Sequence, residues 1–232
     1  MRRLGRLATI SVCLIAQDVE PLLPRFLANV APVAHEIVAV DGGSTDATPR
    51  ILEAHPKVRL FHRPFDAHGP QRNFAMEQAR GDWVLWVDSD ELLGDRLRRI
   101  LPRLVRIPCV SWAKVPRYWL ASVDPPLHVK TALLYPDRQL RLFRNQPRFR
   151  YLPEPRVHER LPAEGLGRGL RLRGAHLFHL AFLLQGRKER ERKVDAYLAR
   201  DPSTAAITGQ YLYESLPHCL APCVEGCREL AR

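Results

Sequence analysis

Residues 83–91, WVLWVDSDE, decide the fold that we expect for this chain. The first five are apolar, as in a strand that is buried on both faces of a parallel sheet. Three of the next four are acidic, namely Asp88, Asp90 and Glu91. Ligands of parallel sheets bind just beyond the carboxyl ends of the strands. The stretch therefore predicts a parallel sheet whose ligand site lies at the end of this strand.

The acidic residues themselves indicate what such a site binds. Asp88 and Asp90 are two positions apart, so in an extended segment their side chains point to the same side. Two such carboxylates repel each other unless a cation lies between them, and oxygen ligands suit Mg²⁺ or Mn²⁺. This predicts a divalent metal that holds a substrate diphosphate. The alternative is an acidic turn that begins a helix, with Ser89 or Asp90 as its N-cap and Glu91 in its first turn.

The segments before this stretch alternate between two patterns. Short apolar runs predict strands, and runs with apolar residues every three or four positions predict helices. The predicted strands are 7–15, 36–40, 58–61 and 82–87, and the predicted helices are 20–30, 46–54, 70–80 and 92–105. This alternation predicts an α/β fold with a mainly parallel sheet flanked by helices.

The remainder of the chain is less regular. Shorter strands are predicted at 110–115, 130–135 and 139–143, a loop or edge strand at 166–174, and helices at 182–199 and 205–230. We therefore expect one large domain over residues 1–180 and a C-terminal helical extension over 181–232. Cys219, Cys223 and Cys227 recur every four residues in that extension, so they are predicted to share one helical face, where packing is favoured over metal binding.

The chain is strongly basic. It has 232 residues with 36 Lys and Arg against 25 Asp and Glu, which is a formal net charge of +11. Residues 117–232 contribute +8 of this charge and residues 1–116 only +3. Such a surface attracts nucleic acid, a phosphate-bearing substrate or an anionic membrane face. Because the five cysteines do not resemble a disulfide framework and no run of 18 apolar residues occurs, we expect a cytoplasmic protein without a membrane span.

A second acidic strand end lies at residues 39–46, AVDGGSTD. Asp41 ends a predicted strand, and the two glycines after it permit a turn that brings the backbone close to a ligand. Ser44 and Asp46 then begin a helix whose N-terminus favours anions. Taken alone, the stretch also fits an ordinary strand–turn–helix with a good cap. Neither GxGxxG nor GxxxxGK occurs, so phosphates need another holder, such as a metal and an arginine.

Four segments together carry a resemblance to a known family: 37–48 (IVAVDGGSTDAT), 69–91 (GPQRNFAMEQARGDWVLWVDSDE), 141–145 (RLFRN) and 156–161 (RVHERL). In this order they resemble glycosyltransferase family 2, and most of all its branch of lipopolysaccharide-core and cell-surface glycan glycosyltransferases. The resemblance implies a GT-A fold with a Rossmann-like mixed sheet, a nucleotide-sugar donor, a divalent metal (Mn²⁺ or Mg²⁺) and inversion of the anomeric centre. It divides the domain into a nucleotide-sugar-binding half at 1–107 and an acceptor half at 108–180.

The resemblance assigns donor-binding roles to two groups of residues. Asp41 matches the contact to the nucleotide base or ribose, and Ser44 and Asp46 lie beside it. Arg72 and Asn73 match a polar pair that precedes the acidic strand end. Arg72 suits the diphosphate because a guanidinium pairs well with phosphate oxygens.

The same resemblance assigns the metal. Asp88 and Asp90 match the two acidic positions of the DxD motif, with Ser89 between them. Asp88 is expected nearer the ribose or the metal, and Asp90 on the metal, where it acts in catalysis. His179 matches a histidine at the end of a later strand and is a further candidate metal ligand.

Attack on the donor requires a general base within hydrogen-bonding reach of the acceptor hydroxyl. Glu159 is the candidate, and with His158 it matches the family's VHE element. His158 itself is expected to line the metal site or to orient the acceptor. Asp137 is the reserve candidate for the base. The alternative for Glu159 is a salt bridge with Arg156 or Arg160.

These roles predict an inverting, metal-dependent glycosyltransferase of cell-envelope polysaccharide or lipopolysaccharide synthesis. It moves a single sugar from a nucleotide-sugar to a glycan or lipid-linked acceptor, because the QxxRW motif of processive synthases does not occur. We expect it in the cytoplasm, with peripheral contact to the anionic inner face of the plasma membrane.

Three alternatives stay open from the sequence. A basic nucleic-acid-binding protein would use the positive charge, but the chain lacks the interleaved aromatics of an RNA-binding motif, so nucleic acid is not the expected partner. A family member that binds nucleotide without turnover is a second, because Gln17 and Gly42 depart from the family pattern. A nucleotidyltransferase, which would release pyrophosphate, is the third.

Overall fold

A computed structural model describes residues 7–151, 161, 167–200, 202, 205–215 and 219–223. The strands are β1 (Ile10–Ala16), β2 (Glu36–Asp41), β3 (Val58–His62), β4 (Trp83–Trp86), β5 (Glu91–Leu93), β6 (Trp112–Val123), β7 (Pro126–Val129), β8 (Asp137–Arg144), β9 (Gly169–Arg171), β10 (Leu177–His179) and β11 (Leu220–Pro222). The helices are α1 (Leu23–Val30), α2 (Thr48–Glu53), α3 (His68–Gln78), α4 (Asp95–Leu104), α5 (Ala181–Leu184), α6 (Arg187–Arg200) and α7 (Ala205–Thr208), and a 3-10 helix follows at Gly209–Ser215. Within the described residues, no helix has the length and hydropathy needed to cross a bilayer.

The strands form a mixed sheet in the order β3-β2-β1-β4-β8-β6-β7-β11. β3, β2, β1 and β4 are parallel, and β8, β6, β7 and β11 continue the sheet with antiparallel pairing. β9 and β10 pair in parallel with β6, and β5 pairs with β10. The predicted α/β class, with a mixed sheet flanked by helices, is confirmed.

Helices cover both faces of the parallel strands because these strands are apolar on both faces. All six residues of β2 are buried. One face of the sheet packs against α1 and α4 through Phe26, Leu97 and Leu101. The other face packs against α3 through Ala75 and Met76. The carboxyl ends of β1, β2 and β4 are thereby fixed at one edge, which is where the sequence predicts the site.

The helix predicted at 92–105 begins only at Asp95. Leu92 and Leu93 belong instead to β5, which pairs antiparallel with β10. The backbone N–H of Leu93 also donates to Asn29 Oδ1 at 2.7 Å. Two apolar residues fit a helix as well as a strand, and the strand that selects between them lies far along the chain.

The strand predicted at 130–135 is wrong. These residues form a turn in which the N–H of Tyr135 donates to the carbonyl of Thr131 at 3.0 Å. The N–H of Leu134 donates to the hydroxyl of the same threonine at 3.1 Å. The strand lies just before this turn, at Pro126–Val129, where it pairs with β6.

The predicted helical extension is only partly helical. Gly186 separates α5 from α6, and its N–H donates to Glu189 Oε2 at 2.8 Å. The helix predicted at 205–230 stops early, because Leu220–Pro222 is a strand that pairs with β7. Cys219 and Cys223 flank this extended strand, so the predicted shared helical face is wrong for them. Cys227 lies outside the described residues.

Candidate active site

A cleft of about 1020 Å³ opens beyond the carboxyl ends of β1 and β4. Its walls come from these strand ends, from β6 and β8, and from α5 and α6. Seven basic residues line it: Arg72, Lys114, Arg117, Arg138, Arg141, Arg171 and Lys193. Three acidic residues line it: Asp88, Asp90 and Asp137. The surplus of positive charge favours an anionic ligand.

Asp88 lies just past the end of β4 and is held by three side chains. Trp86 Nε1 donates to its Oδ1 at 2.8 Å, Arg141 Nη2 donates to its Oδ2 at 2.6 Å, and Arg72 Nη2 lies 3.4 Å from Oδ1. Burial opposes ionisation, but the charges of Arg141 and Arg72 outweigh it and hold the pKa of Asp88 well below its usual range. Asp88 therefore faces the cleft as a carboxylate with paired charge.

Glu91 is the fully buried member of the acidic stretch, with a side chain that is 0% exposed. Its Oε1 accepts from Arg141 Nη2 at 2.6 Å and from Arg117 Nη1 at 3.0 Å, and its Oε2 accepts from the backbone N–H of Asp88 at 3.1 Å. A carboxylate away from water is stable only when it is paired. Glu91 thus ties the acidic turn to β6 and β8.

Arg141 reaches both carboxylates because β8 carries an extra residue at this point. The residues of β8 that pair with β6 pass from Leu142 to Leu140, so Arg141 lies in a bulge. A bulge changes the direction of a side chain relative to the sheet. Burial lowers the pKa of Arg141, but Asp88 and Glu91 raise it to a value above its ordinary one. The guanidinium therefore remains a cation in the wall of the cleft.

Asp137 is committed to a second ion pair. Its Oδ2 accepts from Arg117 Nε at 2.8 Å and from Trp119 Nε1 at 3.0 Å, and Gln139 donates to its Oδ1. Burial raises the pKa of Asp137, but the charge of Arg117 and these hydrogen bonds bring it below its usual value. A carboxylate held ionised in this way is a weak proton acceptor, which argues against Asp137 as the general base.

Asp90 is the least engaged carboxylate of the stretch. Among the described residues its side chain has one polar partner, His179, whose Nε2 lies 3.7 Å from Oδ2. The Asp90 side chain is 28% exposed and lines the cleft. The His179 ring stacks on Trp119, with 4.0 Å between the ring centroids. Burial lowers the pKa of His179, and the opposing effect of Asp90 is smaller, so the ring is neutral near pH 7.

The side chains of the acidic turn and His179 fit a divalent metal site only in part. Of the described residues, no three Asp, Glu, His or Cys side chains are already arranged around an ion position. Asp88 and Asp90 supply the oxygen atoms that Mg²⁺ and Mn²⁺ prefer. His179 Nδ1 accepts from the N–H of Ala181 at 3.2 Å, which places the proton of the neutral ring on Nε2. His179 Nε2 can bind a metal only after that proton moves and the Ala181 bond breaks.

At the first acidic strand end, the carboxylate of Asp41 is bonded by groups of the protein itself. Asp41 is 3% exposed. Its Oδ2 accepts from the N–H of Gly43 at 3.1 Å, and its Oδ1 accepts from the hydroxyl of Ser44 at 2.5 Å. His62 Nδ1 lies 3.5 Å from Oδ2. Both carboxylate oxygens of Asp41 therefore have protein partners.

Ser44 and Asp46 join the loop after β2 to the loop after β1. The N–H of Asp18 donates to Ser44 Oγ at 3.0 Å, and the N–H of Glu20 donates to Asp46 Oδ2 at 3.0 Å. Asp46 Oδ1 accepts from the N–H of Thr48, the first residue of α2, at 2.9 Å. The side chains of Ser44 and Asp46 are thus used in holding the two loops together.

Arg72 and Asn73 are neighbours on α3 and face different surroundings. Asn73 bonds the backbone of Tyr151 twice, with Nδ2 donating to its carbonyl at 2.9 Å and Oδ1 accepting from its N–H at 2.8 Å. The Arg72 guanidinium lies over the rings of Trp86 and Tyr151, at 5.5 and 5.2 Å from their centroids, and lines the cleft. Asn73 positions Tyr151, whereas Arg72 faces the cleft.

The predicted site residues therefore separate into three groups. The structure brings six onto the cleft: Arg72, Asp88, Ser89, Asp90, Asp137 and His179. The described lining of the cleft does not include Asp41, Ser44, Asp46 or Asn73. His158 and Glu159 lie outside the residues that the structure describes.

The family model described as Glycosyl transferase family 2 matches residues 11–154, which is more than half of the chain. This span contains both acidic strand ends and the parallel part of the sheet. The chain belongs to glycosyltransferase family 2. The resemblance noted in the sequence is thereby confirmed.

Two curated bacterial relatives of this glycosyltransferase are longer than the region they share with it. Lipopolysaccharide core biosynthesis glycosyltransferase LpsC of Rhizobium meliloti is 31% identical over 163 residues, which cover 67% of this chain and 58% of LpsC. A TPR repeat-containing protein of Synechococcus elongatus is 32% identical over 155 residues, which cover 62% of this chain and 34% of that protein.

The fold of this glycosyltransferase is similar to that of Staphylococcus aureus TarS, residues 1–349. The two superpose with a TM-score of 0.55 at 18% identity, over 90% of this chain and 70% of the TarS chain. The crystal structure of the same TarS fragment in complex with UDP-GlcNAc has a TM-score of 0.51 at 19% identity, over 90% and 71% of the two chains. At this level of identity the likeness shows the GT-A fold.

Sequence reasoning missed the buried charges of the glycosyltransferase site. Glu91 was open to interpretation as a first-turn helix residue, and no role was predicted for Arg117 or Arg141. The signal was present, because Arg141 lies between leucines in RQLRLF and an arginine inside an apolar strand needs a buried partner. The identity of that partner requires the tertiary structure.

Proposed function

We propose that this glycosyltransferase transfers a single sugar from a nucleotide-sugar to a glycan or lipid-linked acceptor, with inversion and with a divalent metal, in cell-envelope polysaccharide or lipopolysaccharide synthesis. The observation that carries the proposal is Asp90. This carboxylate follows the carboxyl end of β4 and has no arginine partner among the described residues. It faces a cleft that is lined by seven basic and three acidic side chains. The names of the relatives support the acceptor class, since LpsC acts in lipopolysaccharide core biosynthesis.

The proposed donor site lies between the acidic turn and α3. Asp90 and Asp88 would hold Mn²⁺ or Mg²⁺, with His179 as a third ligand after its ring proton moves. The metal, when bound, stabilises the negative charge on the leaving nucleoside diphosphate. Arg72, whose guanidinium lies beside Asp88, would pair with the diphosphate oxygens. TarS has been crystallised with UDP-GlcNAc, which supports a nucleotide-sugar as the donor.

We assign the base and ribose of the nucleotide to the end of the cleft beyond β1 and β2. Gln17 and Gly42 line this end. A Cβ atom on Gly42 would lie 3.2 Å from Phe65 Cβ and 3.3 Å from Gln17 Oε1, so a side chain here would crowd these loops. Asp41 would contribute there only indirectly, by holding the loop after β2 in shape. In this proposal, Ser44, Asp46, Asn73 and Ser89 contribute to nucleotide binding.

The proposed base is Glu159, with His158 orienting the acceptor. Direct displacement with inversion needs one group that takes the proton of the acceptor hydroxyl as the new bond forms. Asp137 is unsuited because Arg117, Trp119 and Gln139 already occupy its carboxylate. The proposal places the reaction at the cytoplasmic side of the envelope, where the basic second half of the chain meets anionic lipid. Salt-sensitive cosedimentation with phosphatidylglycerol vesicles tests this last point.

The test of the donor site is a calorimetric titration with UDP, GDP, CDP and dTDP, with and without Mn²⁺. We expect one nucleoside diphosphate to bind with metal dependence, and Asp90→Ala to lose this binding by at least tenfold. Glu53→Ala is the matched control, because Glu53 is an exposed acid at the end of α2 and does not line the cleft. Absence of binding to any of the four by the folded wild type would reject the donor site.

Product analysis separates the alternatives. A glycosyltransferase releases a nucleoside diphosphate, whereas a nucleotidyltransferase releases pyrophosphate. Metal-dependent nucleotide binding without turnover on any donor would indicate the family member that binds without catalysis. Tight, steeply salt-dependent RNA binding in the absence of nucleotide binding would instead favour the nucleic-acid reading.

A further inference from the structure

Three cations lie on neighbouring strands of the acceptor half and share one face of the sheet. Lys114 in β6 pairs directly with Arg171 in β9. On its other side, β6 pairs with β8, where Arg138 lies opposite Pro116. Residues two apart on a strand face the same way, so Lys114, Pro116 and Arg138 share a face with Arg171. All three cations line the cleft, and we call them the strand cations.

The short strand β9 is held firmly against β6, which fixes Arg171 beside Lys114. The N–H of Ser111 donates to the carbonyl of Arg168 at 2.8 Å, and the N–H of Leu172 donates to the carbonyl of Lys114 at 2.9 Å. The ring of Trp112 packs against Gly169, where an added Cβ atom would lie 2.0 Å from a ring carbon. The pairing of the two cations is thus built into the sheet.

The strand cations differ from the other arginines of the cleft in their partners. Arg72, Arg117 and Arg141 all form ion pairs with carboxylates. In the part of the chain that the structure describes, the strand cations form no such pair. The Nε atom of Arg138, like those of Arg72 and Arg141, is buried without a hydrogen-bond partner. Like charges on adjacent strands destabilise a sheet. An anion that bridges them would remove this repulsion.

The strand cations extend away from the acidic turn, from β8 through β6 to β9. The order of strands is β4, β8, β6, β9, and neighbouring strands lie about 4.8 Å apart, so β9 is roughly 14 Å from β4 across the sheet. A diphosphate placed on Asp88 and Asp90 does not extend across three strands. Arg171, the farthest of the three from β4, therefore faces a different part of the bound substrates, and Lys114 pairs directly with it.

We propose that the strand cations bind a phosphate group carried by the acceptor, and so select a phosphorylated acceptor over a neutral one. The inference rests on the proposed glycosyltransferase function and deepens it by naming the chemistry of the acceptor. The phosphate belongs either to a phosphorylated sugar or to a lipid headgroup, since both present the same oxygens. Lys114 and Arg171 bind the phosphate from adjacent strands, and Arg138 binds it from the diagonal position on β8.

The test uses glucose 6-phosphate as the soluble probe and phosphatidylglycerol vesicles as the lipid probe, both measured in EDTA so that the metal site is empty. The variant is Lys114→Gln/Arg171→Gln, and the matched control is Lys188→Gln, which removes an exposed charge on α6 outside the cleft. We expect the double variant to bind one of the two probes at least tenfold more weakly than the wild type does. The control should bind as the wild type does, and Lys114→Arg/Arg171→Lys should retain most of the affinity.

The pattern of loss identifies the source of the phosphate. Loss for glucose 6-phosphate assigns a phosphorylated sugar, and loss for the vesicles alone assigns a lipid headgroup. Equal binding of both probes by the wild type and the double variant would overturn the proposal. The metal-dependent nucleoside diphosphate titration on the same double variant separates this outcome from failure of the donor site, because we expect that binding to be unchanged within about threefold.

Discussion

The two acidic strand ends of the sheet are similar in sequence and different in use. After β2, the carboxylates of Asp41 and Asp46 are satisfied by backbone N–H groups and a hydroxyl of the neighbouring loops. After β4, Asp88 and Glu91 are satisfied by arginines from β6, β8 and α3, and Asp90 remains open to the cleft. The first end shapes a loop, and the second presents charge to a ligand.

The residues beside each acid explain why the two strand ends are used differently. Glycines and serines next to the acid supply N–H and O–H donors within the same loop, so the carboxylate is used locally. After β4 the acids have one serine, Ser89, and no glycine beside them, and arginines from other elements satisfy Asp88 and Glu91.

Removal of Arg141 should have the largest effect on stability. Arg141→Met leaves Glu91 and Asp88 with less counter-charge in a buried setting, which costs about 3–5 kcal/mol for a broken buried ion pair. Urea unfolding of the variant against the wild type measures this. Arg103→Met, on the exposed side of α4, is the control and should be within about 0.5 kcal/mol of the wild type. Equal loss in both variants would show that the buried network does not hold the acidic turn.

Glu36, at the start of β2, should produce a pH-dependent effect of intermediate size. Burial raises its pKa, but hydrogen bonds from Ser11, Arg59 and the N–H of Arg80 lower it below its ordinary value of 4.5. A lowered folded pKa gives stability that is present above pH 4.5 and is lost as the pH falls through the folded pKa.

Glu36→Gln should therefore be less stable than the wild type at pH 7 by about 2 kcal/mol, and the gap should narrow as the pH falls below 4.5. Thermal unfolding at pH 7, 4.5 and 3 measures the gap. A gap that stays constant over this range would contradict the assignment of the charge on Glu36.

A pair of serines at the two strand ends should give the smallest effect. Ser44→Ala removes the hydroxyl that donates to Asp41 and accepts from Asp18, which costs about 1 kcal/mol. Ser89→Ala, between Asp88 and Asp90, removes a hydroxyl that lines the cleft and should leave stability unchanged. If Ser89→Ala were the more destabilising of the two, the contrast between the strand ends would be reversed.

The parallel half of the fold could be predicted from the sequence because its strands are buried on both faces. Such strands are continuous apolar runs, as in residues 37–40 and 83–87, and their boundaries depend on local composition. β5 and β11 could not be predicted in the same way. Their pairing is decided by β10 and β7, which lie far away in the chain, and a three-residue segment carries no periodicity of its own.

Site residues that belong to a family motif could be predicted from the sequence. Site residues whose role depends on a tertiary contact could not. Asp88, Asp90, Arg72 and His179 were selected by position in family motifs, and the structure places all four on one cleft. Whether an acid such as Asp41 faces a ligand or its own loop depends on hydrogen bonds within about 3 Å, which sequence spacing does not specify. The bulge at Arg141 is also a property of strand pairing.

The most direct measurement compares Asp41→Asn with Asp90→Asn in two assays, the thermal unfolding midpoint and the Mn²⁺-dependent affinity for the nucleoside diphosphate that the wild type binds. We expect Asp41→Asn to lower the midpoint and to keep the affinity within about threefold. We expect Asp90→Asn to keep the midpoint and to lose at least tenfold in affinity. A stable Asp41→Asn protein that has lost nucleotide affinity, beside an Asp90→Asn protein that has kept it, would contradict the division of roles between the two strand ends.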